Sequence, residues 1–264
     1  MQKQSTIVIG VLKKVLFYIG LIMIWELVYK VGVDTLHIWK PYTFPSPIDV
    51  IKSIWSLIKD NTLGIAVVVS LKRLIEGYLV SLIIGLALGL LIVRYKYLDE
   101  NFSALILGLQ TLPSICWLPF AILWFGLNEK SIIFVIAVGS IFAIAMATEA
   151  GIKNVNPIYV KAASTMGAKG FKLYWNVVIP SALPSIVAGM KQGWSFAWRG
   201  LMAGEMLSAT KGLGQVLMVG RDLADISQVM AVMVVIIVLG LTFDKFIFGK
   251  LEENIRYRCG LESK

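Results

Sequence analysis

Long apolar stretches alternate with short polar ones along most of this chain. Six of them come close to or exceed the roughly 20 residues that an α-helix needs to cross the hydrocarbon of a bilayer. They cover residues 15–33, 64–93, 101–126, 131–150, 185–207 and 229–248. One polar insertion, residues 156–184, interrupts the later stretches. The pattern predicts an all-α membrane protein of six transmembrane helices, with a helical hairpin between helices four and five.

The composition independently indicates a membrane protein. Hydrophobic residues make up 58% of the 264-residue chain and charged residues 16%, and the mean hydropathy is +0.79. Soluble domains carry about a quarter charged residues, so the composition excludes an ordinary soluble protein and predicts contact with membrane lipid. The net charge of +9 is explained by membrane orientation. Because no nucleic-acid-binding motif accompanies it, no nucleic-acid partner is expected.

The distribution of lysine and arginine predicts the orientation. Cytoplasmic flanks of transmembrane helices are enriched in these residues. Clusters of lysine and arginine flank the spans repeatedly on one predicted side of the membrane, which predicts that both termini and the hairpin are cytoplasmic. These clusters are Lys3, Lys13 and Lys14; Arg94 and Lys96; Lys153, Lys161, Lys169 and Lys172; and Lys245, Lys250, Arg256 and Arg258. The opposite side carries positive residues of its own, namely Lys40, Lys52, Lys59, Lys72, Arg73 and Arg221. The first apolar run is longer than a signal peptide's core and is read as a retained helix.

The hairpin sequence contains start and stop signals for two helices. Asn156 is a good helix cap, and Pro157 suits the first helical position, where no N–H is needed. Gly167 can adopt the left-handed conformation that ends a helix. A second helix is predicted over about residues 169–178. Pro180 and Pro184 are expected to stop it.

These residues resemble the cytoplasmic "EAA" loop of ABC-importer permeases. That pattern has Glu-Ala-Ala, three residues, Gly, about nine residues, then an apolar residue with Pro and a further Leu-Pro. The counterparts here are Lys161-Ala162-Ala163, Gly167, Ile179-Pro180 and Leu183-Pro184. Lys161 stands where the pattern has glutamate, a departure that removes the carboxylate but leaves the spacing of the loop intact. The resemblance implies an ATPase-coupling surface formed by Lys161, Ala162, Ala163, Gly167, Ala168, Phe171, Pro180 and Pro184.

A wider resemblance covers about residues 70–256. The segments SLKRLIEGY, LPSICWLPFAILWFG, AGMKQGWSFAWRGLMAGE and GLGQ are similar to the nitrate, sulfonate, taurine and bicarbonate branch of type I ABC-importer permeases. This resemblance implies a second permease copy, two cytoplasmic ATPase subunits and an external substrate-binding protein. The chain itself has no Gly-x-x-x-x-Gly-Lys-Ser/Thr loop, so a partner is expected to bind ATP. Residues 1–62 are expected to form a first helix with an external loop, 63–250 the permease domain with its hairpin at about 151–184, and 251–264 a cytoplasmic tail.

Several residues inside the spans are candidates for the transport pathway. Proline within a span often marks a broken helix beside a cavity, and ionisable residues in spans are functional candidates. The candidates are Pro113, Trp117, Pro119, Trp198, Arg199 and Glu205. Arg199 is either an attractor of a small oxyanion or half of a buried pair with Glu26 or Glu205. Lys191 could pair with Glu149. A small-xxx-small pair, Gly85 and Gly89, could bring helices close.

The remaining features predict structure but no chemistry. Residues 40–47 predict an extended stretch, and residues 48–57 a short external helix on the membrane surface. Cys116 and Cys259 are far apart in the topology and suit neither a disulfide nor a metal site. No cofactor or metal site and no catalytic residue is predicted.

The sequence disfavours two other classes of function. An intramembrane enzyme is disfavoured because His37 is the sole histidine and no hydrolase motif occurs. A stand-alone secondary transporter is disfavoured because no internal repeat is visible. The best-supported expectation is a multi-pass permease in a bacterial cell membrane, carrying a small anionic solute. Sulfonate or taurine, nitrate, bicarbonate and pyrimidine-type thiamine precursors remain open as substrates.

Overall fold

Helices form the framework of the computed structural model, which describes residues 2–40, 42–208 and 210–258. Twelve α-helices occur in that part of the chain, and five of them (α1, α8, α9, α11 and α12) adjoin one of three π-helical turns. Their bounds are α1 Gln2–Tyr29, α2 Pro47–Lys59, α3 Thr62–Arg94, α4 Lys96–Gln110, α5 Leu118–Phe125, α6 Glu129–Lys153, α7 Pro157–Thr165, α8 Gly170–Leu173, α9 Ile179–Leu207, α10 Leu213–Asp222, α11 Ile226–Phe243 and α12 Lys250–Arg258.

Five continuous helical segments of the described chain are long and apolar enough to cross a membrane. They are Leu12–Thr35, Thr62–Arg94, Glu129–Lys153, Gly170–Leu207 and Ile226–Tyr257. A sixth span is formed if Lys96–Gln110 and Ser114–Phe125 are counted together, although the two are bent by 102°. The predicted all-helical membrane fold is therefore confirmed, while residues 101–126 form a broken span.

The break in that span is at Pro113. This residue has φ −56° and ψ 139°, which is extended backbone, and a short 3₁₀ turn over Ser114–Trp117 leads into α5. Proline lacks the N–H that would continue the ladder and disfavours helical geometry in the residue before it. Of the two prolines expected to mark a broken helix, Pro113 lies at the change of direction, whereas Pro119 lies within the first turn of α5.

Helices α3, α6 and α9 pack closely because glycines face neighbouring backbone. A Cβ at Gly85 would lie 2.9 Å from the Ile141 carbonyl, and one at Gly89 would lie 2.7 Å from the Ala145 carbonyl. Small residues let membrane helices approach in this way, so the predicted role of Gly85 and Gly89 is confirmed. Beside these contacts lies the main core, which contains Leu74, Tyr78, Ile132, Ile136, Ile144, Trp194, Ala197, Trp198, Leu201 and Phe248.

The chain divides into two compact units. One comprises residues 1–65 and 216–235, and the other residues 66–215 and 236–264. In the first unit, the short helix predicted over residues 48–57 is present as α2, and the Ser46 side chain accepts the Asp49 N–H at its start. Trp25 Nε1 donates to the Pro45 carbonyl at 3.2 Å. The second unit contains the hairpin and every predicted pathway residue.

The hairpin begins as the sequence predicts. Asn156 caps α7 through its side chain, and Pro157 is the first helical residue. Gly167 has φ +89°, and the helix closes with bonds from Gly167 N–H to the Ser164 carbonyl at 3.1 Å and from Ala168 N–H to the Ala163 carbonyl at 3.0 Å. This pattern is a Schellman closure. It fixes the direction of the chain at the tip of the hairpin.

The second half of the hairpin differs from the prediction. Pro180 and Pro184 do not stop the helix, which continues from Gly170 to Leu207. A π-helical turn, Tyr174–Val178, precedes Pro180 and closes with Ile179 N–H bonded to the Tyr174 carbonyl. Such a turn shifts the hydrogen-bond register, so Pro180 enters at the start of the next α-helical stretch, a position where proline is tolerated. The second arm of the hairpin and α9 therefore form one continuous helical segment.

Candidate functional site

Two places in the larger unit concentrate charge within or beside membrane-spanning helices. One is a buried cluster around Glu205, near the end of α9. The other is the exposed side of α9 around Arg199, which adjoins a cavity. The hairpin at the opposite end of the Gly170–Leu207 segment is a third site, and it lies on the surface.

Glu205 is completely buried (0% exposed), yet its carboxylate has several polar partners. The Ser70 hydroxyl lies 2.8 Å from both of its oxygens, Arg73 Nη1 lies 3.1 Å from Oε1, and the Gly214 N–H donates to Oε2 at 3.0 Å. A buried charge is costly unless it is paired and hydrogen-bonded. The arrangement meets both conditions.

Arg73, itself 3% exposed, links this carboxylate to two further elements. Its Nη1 also donates to the Lys211 carbonyl at 2.7 Å, and its Nη2 donates to Glu129 Oε1 at 2.9 Å. Glu129 is the first residue of α6, and Lys211 lies in the loop that follows α9. One guanidinium therefore holds together α3, α6, α9 and that loop.

The cluster also caps α10. The Leu213 N–H donates to Ser70 Oγ at 2.9 Å, and the Gly214 N–H is bound by Glu205. The first N–H groups of a helix have no partner within the helix, and a carboxylate there is favoured by the helix dipole. Glu205 on α9 and Ser70 on α3 thus accept hydrogen bonds from the first N–H groups of α10. These bonds fix the start of α10 to the end of the helix bundle.

The sequence interpretation missed Ser70 and Arg73 as members of this cluster. Arg73 was counted among the positive residues of a membrane flank, although it falls within the predicted span 64–93. An ionisable residue inside a span requires a partner, and Glu205 was another such residue. Matching these two would have found the pair, and the proposed pairing of Glu205 with Arg199 is wrong.

Arg199 lies on the opposite side of α9 from the core. Between Ser185 and Arg199, the exposed positions of this helix follow a spacing of three and four residues, which places them on one face. This polar face consists of Ser185, Ala188, Gln192, Ser195 and Arg199. By contrast, three of the four exposed positions in the last part of α11, residues 236–243, are the aliphatic Ile237, Val238 and Leu241, as expected for a helix that contacts lipid.

A cavity of about 420 Å³ adjoins Arg199. Its polar lining comes from the break between α4 and α5 and from Arg199 itself; the lining residues are Gln110, Thr111, Leu112, Pro113, Ser114, Ile115, Gly139, Phe196, Arg199 and Ala203. The guanidinium carbon lies 4.9 Å from the centre of the Phe196 ring. No acidic side chain pairs with Arg199 among the residues that the structure describes, so its charge is available to a ligand.

Other predicted pathway residues occupy different surroundings. Pro113 lines the cavity, whereas Trp117 and Pro119 lie in the adjoining α5 region outside its lining. Trp198 is buried in the main core beside Trp194, with ring centres 6.4 Å apart. Trp198 and Glu205 therefore do not face the cavity.

Two further predicted pairs are replaced by others. Lys191 pairs with Asp244 at 3.1 Å and not with Glu149. Glu149 pairs with Lys153 at 2.8 Å, one helical turn away, and accepts the Ser103 hydroxyl at 3.0 Å. The candidate partner Glu26 pairs with Lys30. Short-range i,i+4 geometry, which is available within a single helix, explains the Glu149 and Glu26 pairs.

The hairpin surface combines apolar and positive groups. Met166 and Phe171 are 88% and 80% exposed, and the Phe171 ring stacks on that of Trp175 with centres 5.9 Å apart. Lys161, Ala162 and Gly167 of the predicted coupling set are exposed, and Ala163, Ala168, Pro180 and Pro184 are half-buried. The hairpin's base is anchored in a small core of Ile152, Val178, Ala182 and Ile186, against which Val160 and Tyr174 pack.

Comparisons with known proteins agree on one family. The family model described as "Binding-protein-dependent transport system inner membrane component" matches residues 81–256. A putative ABC transporter permease protein of Methanocaldococcus jannaschii is 35% identical over 235 residues, covering 85% of this chain and 84% of that protein. A putative aliphatic sulfonates transport permease protein, SsuC of Bacillus subtilis, is 28% identical over 257 residues, covering 96% and 90% respectively.

A solved structure shares the fold. An inward-facing form of the MetNI methionine ABC transporter superposes with a TM-score of 0.64 at 21% identity, covering 74% of this chain and 96% of that one. The family model spans most of this chain, including α6, the hairpin and α9. The chain therefore belongs to the family of binding-protein-dependent transport system inner membrane components, the permease subunits of ABC importers.

Proposed function

We propose that this permease carries a small oxyanion along the polar face of α9 and past Arg199. The observation that carries the proposal is a guanidinium without an acidic partner in the described chain, set on a membrane-spanning helix beside a cavity of about 420 Å³. An unpaired charge facing hydrocarbon would be costly. A water-filled pathway removes this cost, and the guanidinium's fork suits a planar or tetrahedral oxyanion.

The relatives support the same class of solute. SsuC of Bacillus subtilis is named for aliphatic sulfonates, whose head group is an oxyanion. The Gln110 and Ser114 side chains in the cavity lining offer neutral hydrogen-bond donors around the single charge. Its volume lies within the usual range of small-molecule sites. A sulfonate or a similar small anion is the substrate class that this lining favours.

The hairpin over residues 156–184 is the proposed ATPase-coupling element. Its tip is fixed by the Gly167 turn, and its second arm continues as α9 without interruption. ATP binding would close two ATPase subunits, and each hairpin would then move with its docked ATPase. Because α9 bears the polar face, this movement would switch access to the cavity between the two sides of the membrane.

The assembly proposed for this mechanism contains two permease copies, two ATPases and an external substrate-binding protein. The polar face of α9 supports a second copy, since a pathway requires walls on every side. The hairpin and both termini are placed in the cytoplasm. This topology follows the lysine and arginine distribution and puts the Glu205 cluster at the external end of the bundle.

ATP-driven uptake in proteoliposomes tests the pathway. The assembly would be reconstituted with its binding protein, and uptake of labelled taurine and nitrate would be measured for wild type, Arg199→Gln and Arg199→Lys. We expect Arg199→Gln to lower uptake of the transported anion about ten- to a hundredfold, the value of one charge-assisted hydrogen bond. Arg199→Lys should retain part of the flux because the charge remains.

Arg221→Gln is the matched control, because Arg221 is an exposed arginine paired with the adjacent Asp222. It should transport like wild type. Uptake of a neutral solute that is indifferent to Arg199 would contradict the oxyanion pathway. Flux that needs neither ATP nor the ATPase would contradict the importer mechanism and favour a secondary transporter.

A further inference from the structure

The hairpin has an unusual charge distribution for a surface that must bind another protein. No aspartate or glutamate occurs between Glu149 and Glu205, so the whole hairpin lacks acidic residues. Lys161, Lys169 and Lys172 are all exposed. Within the described residues, none of these three lysines forms an ion pair. All the charged side chains of the hairpin are therefore positive.

Lys153, at the base of the hairpin, provides an internal contrast. It is neutralised by Asp99 and by Glu149, and both contacts are direct. Lys153, which lies against the helix bundle, is thus paired with acidic residues of the bundle. Lys161, Lys169 and Lys172, which lie on the projecting hairpin, have no acidic partner among the described residues. A charge that is left free on a rigid projection is available to a partner.

The same projection carries exposed apolar side chains. Met166, Phe171 and Trp175 are 88%, 80% and 60% exposed, and the two rings stack nearly parallel, at 11°. Aromatic side chains surrounded by charged ones are typical of the centre of a protein interface. Because the Gly167 closure fixes the turn, little conformational entropy is lost when the projection inserts into a groove.

We infer that the ATPase partner receives Met166, Phe171 and Trp175 in an apolar pocket whose rim carries carboxylates, at least one of them facing Lys161. This inference rests on the proposed coupling function and adds the chemistry of the partner's groove. Charge complementarity argues for it: a rim without acidic groups would leave three lysines unpaired, and a basic rim would repel them. Lys161, which stands where the permease pattern has glutamate, thus selects an ATPase whose groove is negatively charged at the contacting position.

Co-purification with the co-expressed ATPase tests this. The tagged permease would be captured in mild detergent as wild type, Lys161→Gln and Lys161→Glu, and the retained ATPase would be measured between low and high salt. We expect Lys161→Glu to reduce retention at least about tenfold at low salt, with Lys161→Gln intermediate. Retention by wild type should fall as salt rises, because screening weakens ion pairs.

Lys96→Glu is the matched control: it reverses another exposed lysine on the same predicted side, whose partner is Glu100 one turn away. Retention should match wild type. A carboxylate-to-lysine exchange on the ATPase rim should restore binding to Lys161→Glu and weaken binding to wild type. Such a reciprocal rescue would support a direct pair, since a damaged hairpin would not be rescued.

Three results would overturn the inference. Equal or tighter retention of the ATPase by Lys161→Glu would mean that the groove is neutral or basic; Phe171→Ala would then show whether the hairpin docks by apolar contact alone, leaving the coupling function intact. ATPase retention that does not change with salt, together with weaker binding of Lys161→Glu than of wild type to phosphatidylglycerol vesicles, would assign the lysines to lipid. Failure of every form, wild type included, to retain an ATPase would instead contradict the coupling function itself.

Discussion

The Glu205 cluster and the hairpin show two opposite ways of managing charge in one membrane protein. At one end of the Gly170–Leu207 segment, Glu205 is fully buried and bonded to Ser70, Arg73 and the start of α10. At the other, Lys161, Lys169 and Lys172 project on an exposed surface without acidic partners in the described chain. The first arrangement fixes helices to one another, whereas the second leaves binding capacity for a partner.

The Glu205 cluster and the hairpin should differ in mobility. A buried ion pair that bonds four elements resists separation, because exposing or stranding either charge is costly. The hairpin is joined to the bundle by a small core and by one continuous helix. We therefore expect substitutions in the cluster to change stability, and substitutions on the hairpin to change partner binding while the bundle stays folded.

Removing the Glu205 carboxylate should have the largest effect on stability. In Glu205→Leu, Arg73 loses its buried partner and the Gly214 N–H and Ser70 hydroxyl lose their acceptor. We expect a loss of roughly 3–5 kcal/mol in the free energy of unfolding, as for other broken buried pairs. Denaturation in detergent, followed by tryptophan fluorescence, would measure it.

Glu129→Gln is the control within the same network. Glu129 binds the same guanidinium at 2.9 Å, but its side chain is 57% exposed. Exposed pairs contribute about 0–1 kcal/mol, so this change should be nearly silent. Equal losses in the two variants would show that burial does not set the strength of this cluster.

Adding a methyl group at a glycine should destabilise the protein where the helices are closely packed, as beside the Glu205 cluster, and have no such effect where space is open. A Cβ at Gly214 would lie 2.6 Å from Glu205 Cβ and 3.0 Å from backbone atoms of residues 205 and 206. Gly214→Ala should therefore destabilise the bundle by about 1–3 kcal/mol, the usual cost of overpacking. Gly240→Ala is the matched control, because nothing lies within 4 Å of a Cβ there; its melting temperature should equal or exceed that of wild type.

At the hairpin, the corresponding substitution acts through the backbone alone. Gly167 has open space around it but a φ of +89°, which costs a residue with a side chain roughly 1–2 kcal/mol. Gly167→Ala should loosen the turn and lower ATPase retention with little change in the melting temperature of the bundle. Limited proteolysis around residues 164–170 would report the loosening directly.

Gly167→Asn is the control for that prediction, since asparagine tolerates the left-handed region better than alanine. It should retain the ATPase more fully than Gly167→Ala does. If both variants keep the ATPase and resist protease like wild type, the turn does not control the coupling surface.

The same contrast explains what the sequence could predict. The first helix of the hairpin was predictable because its signals are local: Asn156 and Pro157 start α7 and Gly167 ends it. The Arg73–Glu205 pair joins residues 132 positions apart, and no short pattern records such a contact. The role expected of Pro180 failed because the outcome depends on a π-helical turn, which the sequence does not signal.

Arg199 illustrates a second limit. The sequence identified it as an ionisable residue inside a span but could not decide between a buried pair and a pathway. The choice depends on which face of α9 is buried, and that is set by Gly189, Gly193 and Gly200 packing against α6. Once those glycines face the neighbouring helix, Arg199 lies on a different, exposed face with Gln192 and Ser195.

The last predicted effect on stability concerns the first unit and involves neither the Glu205 cluster nor the hairpin. Ser46 and Asp49 form a reciprocal cap of α2: the Asp49 N–H donates to Ser46 Oγ at 3.2 Å, and that hydroxyl donates to Asp49 Oδ2 at 2.8 Å. This side-chain hydrogen bond holds the pKa of Asp49 below its ordinary value. Ser46→Ala should destabilise α2 by about 0.5–2 kcal/mol, the range for a lost cap.

The sign of the pH dependence follows from the lowered pKa. An acid whose pKa is depressed by folding adds stability at pH values above its ordinary pKa of about 4, and that stability is lost as the pH falls through the folded value. Carboxyl NMR of labelled aspartate should show Asp49 titrating below about 3.9 in wild type and closer to it in Ser46→Ala. Because Asp49 is partly exposed, the stability change on acidification should be small beside that of Glu205→Leu. Unchanged titration in Ser46→Ala would mean that the hydroxyl does not set this pKa.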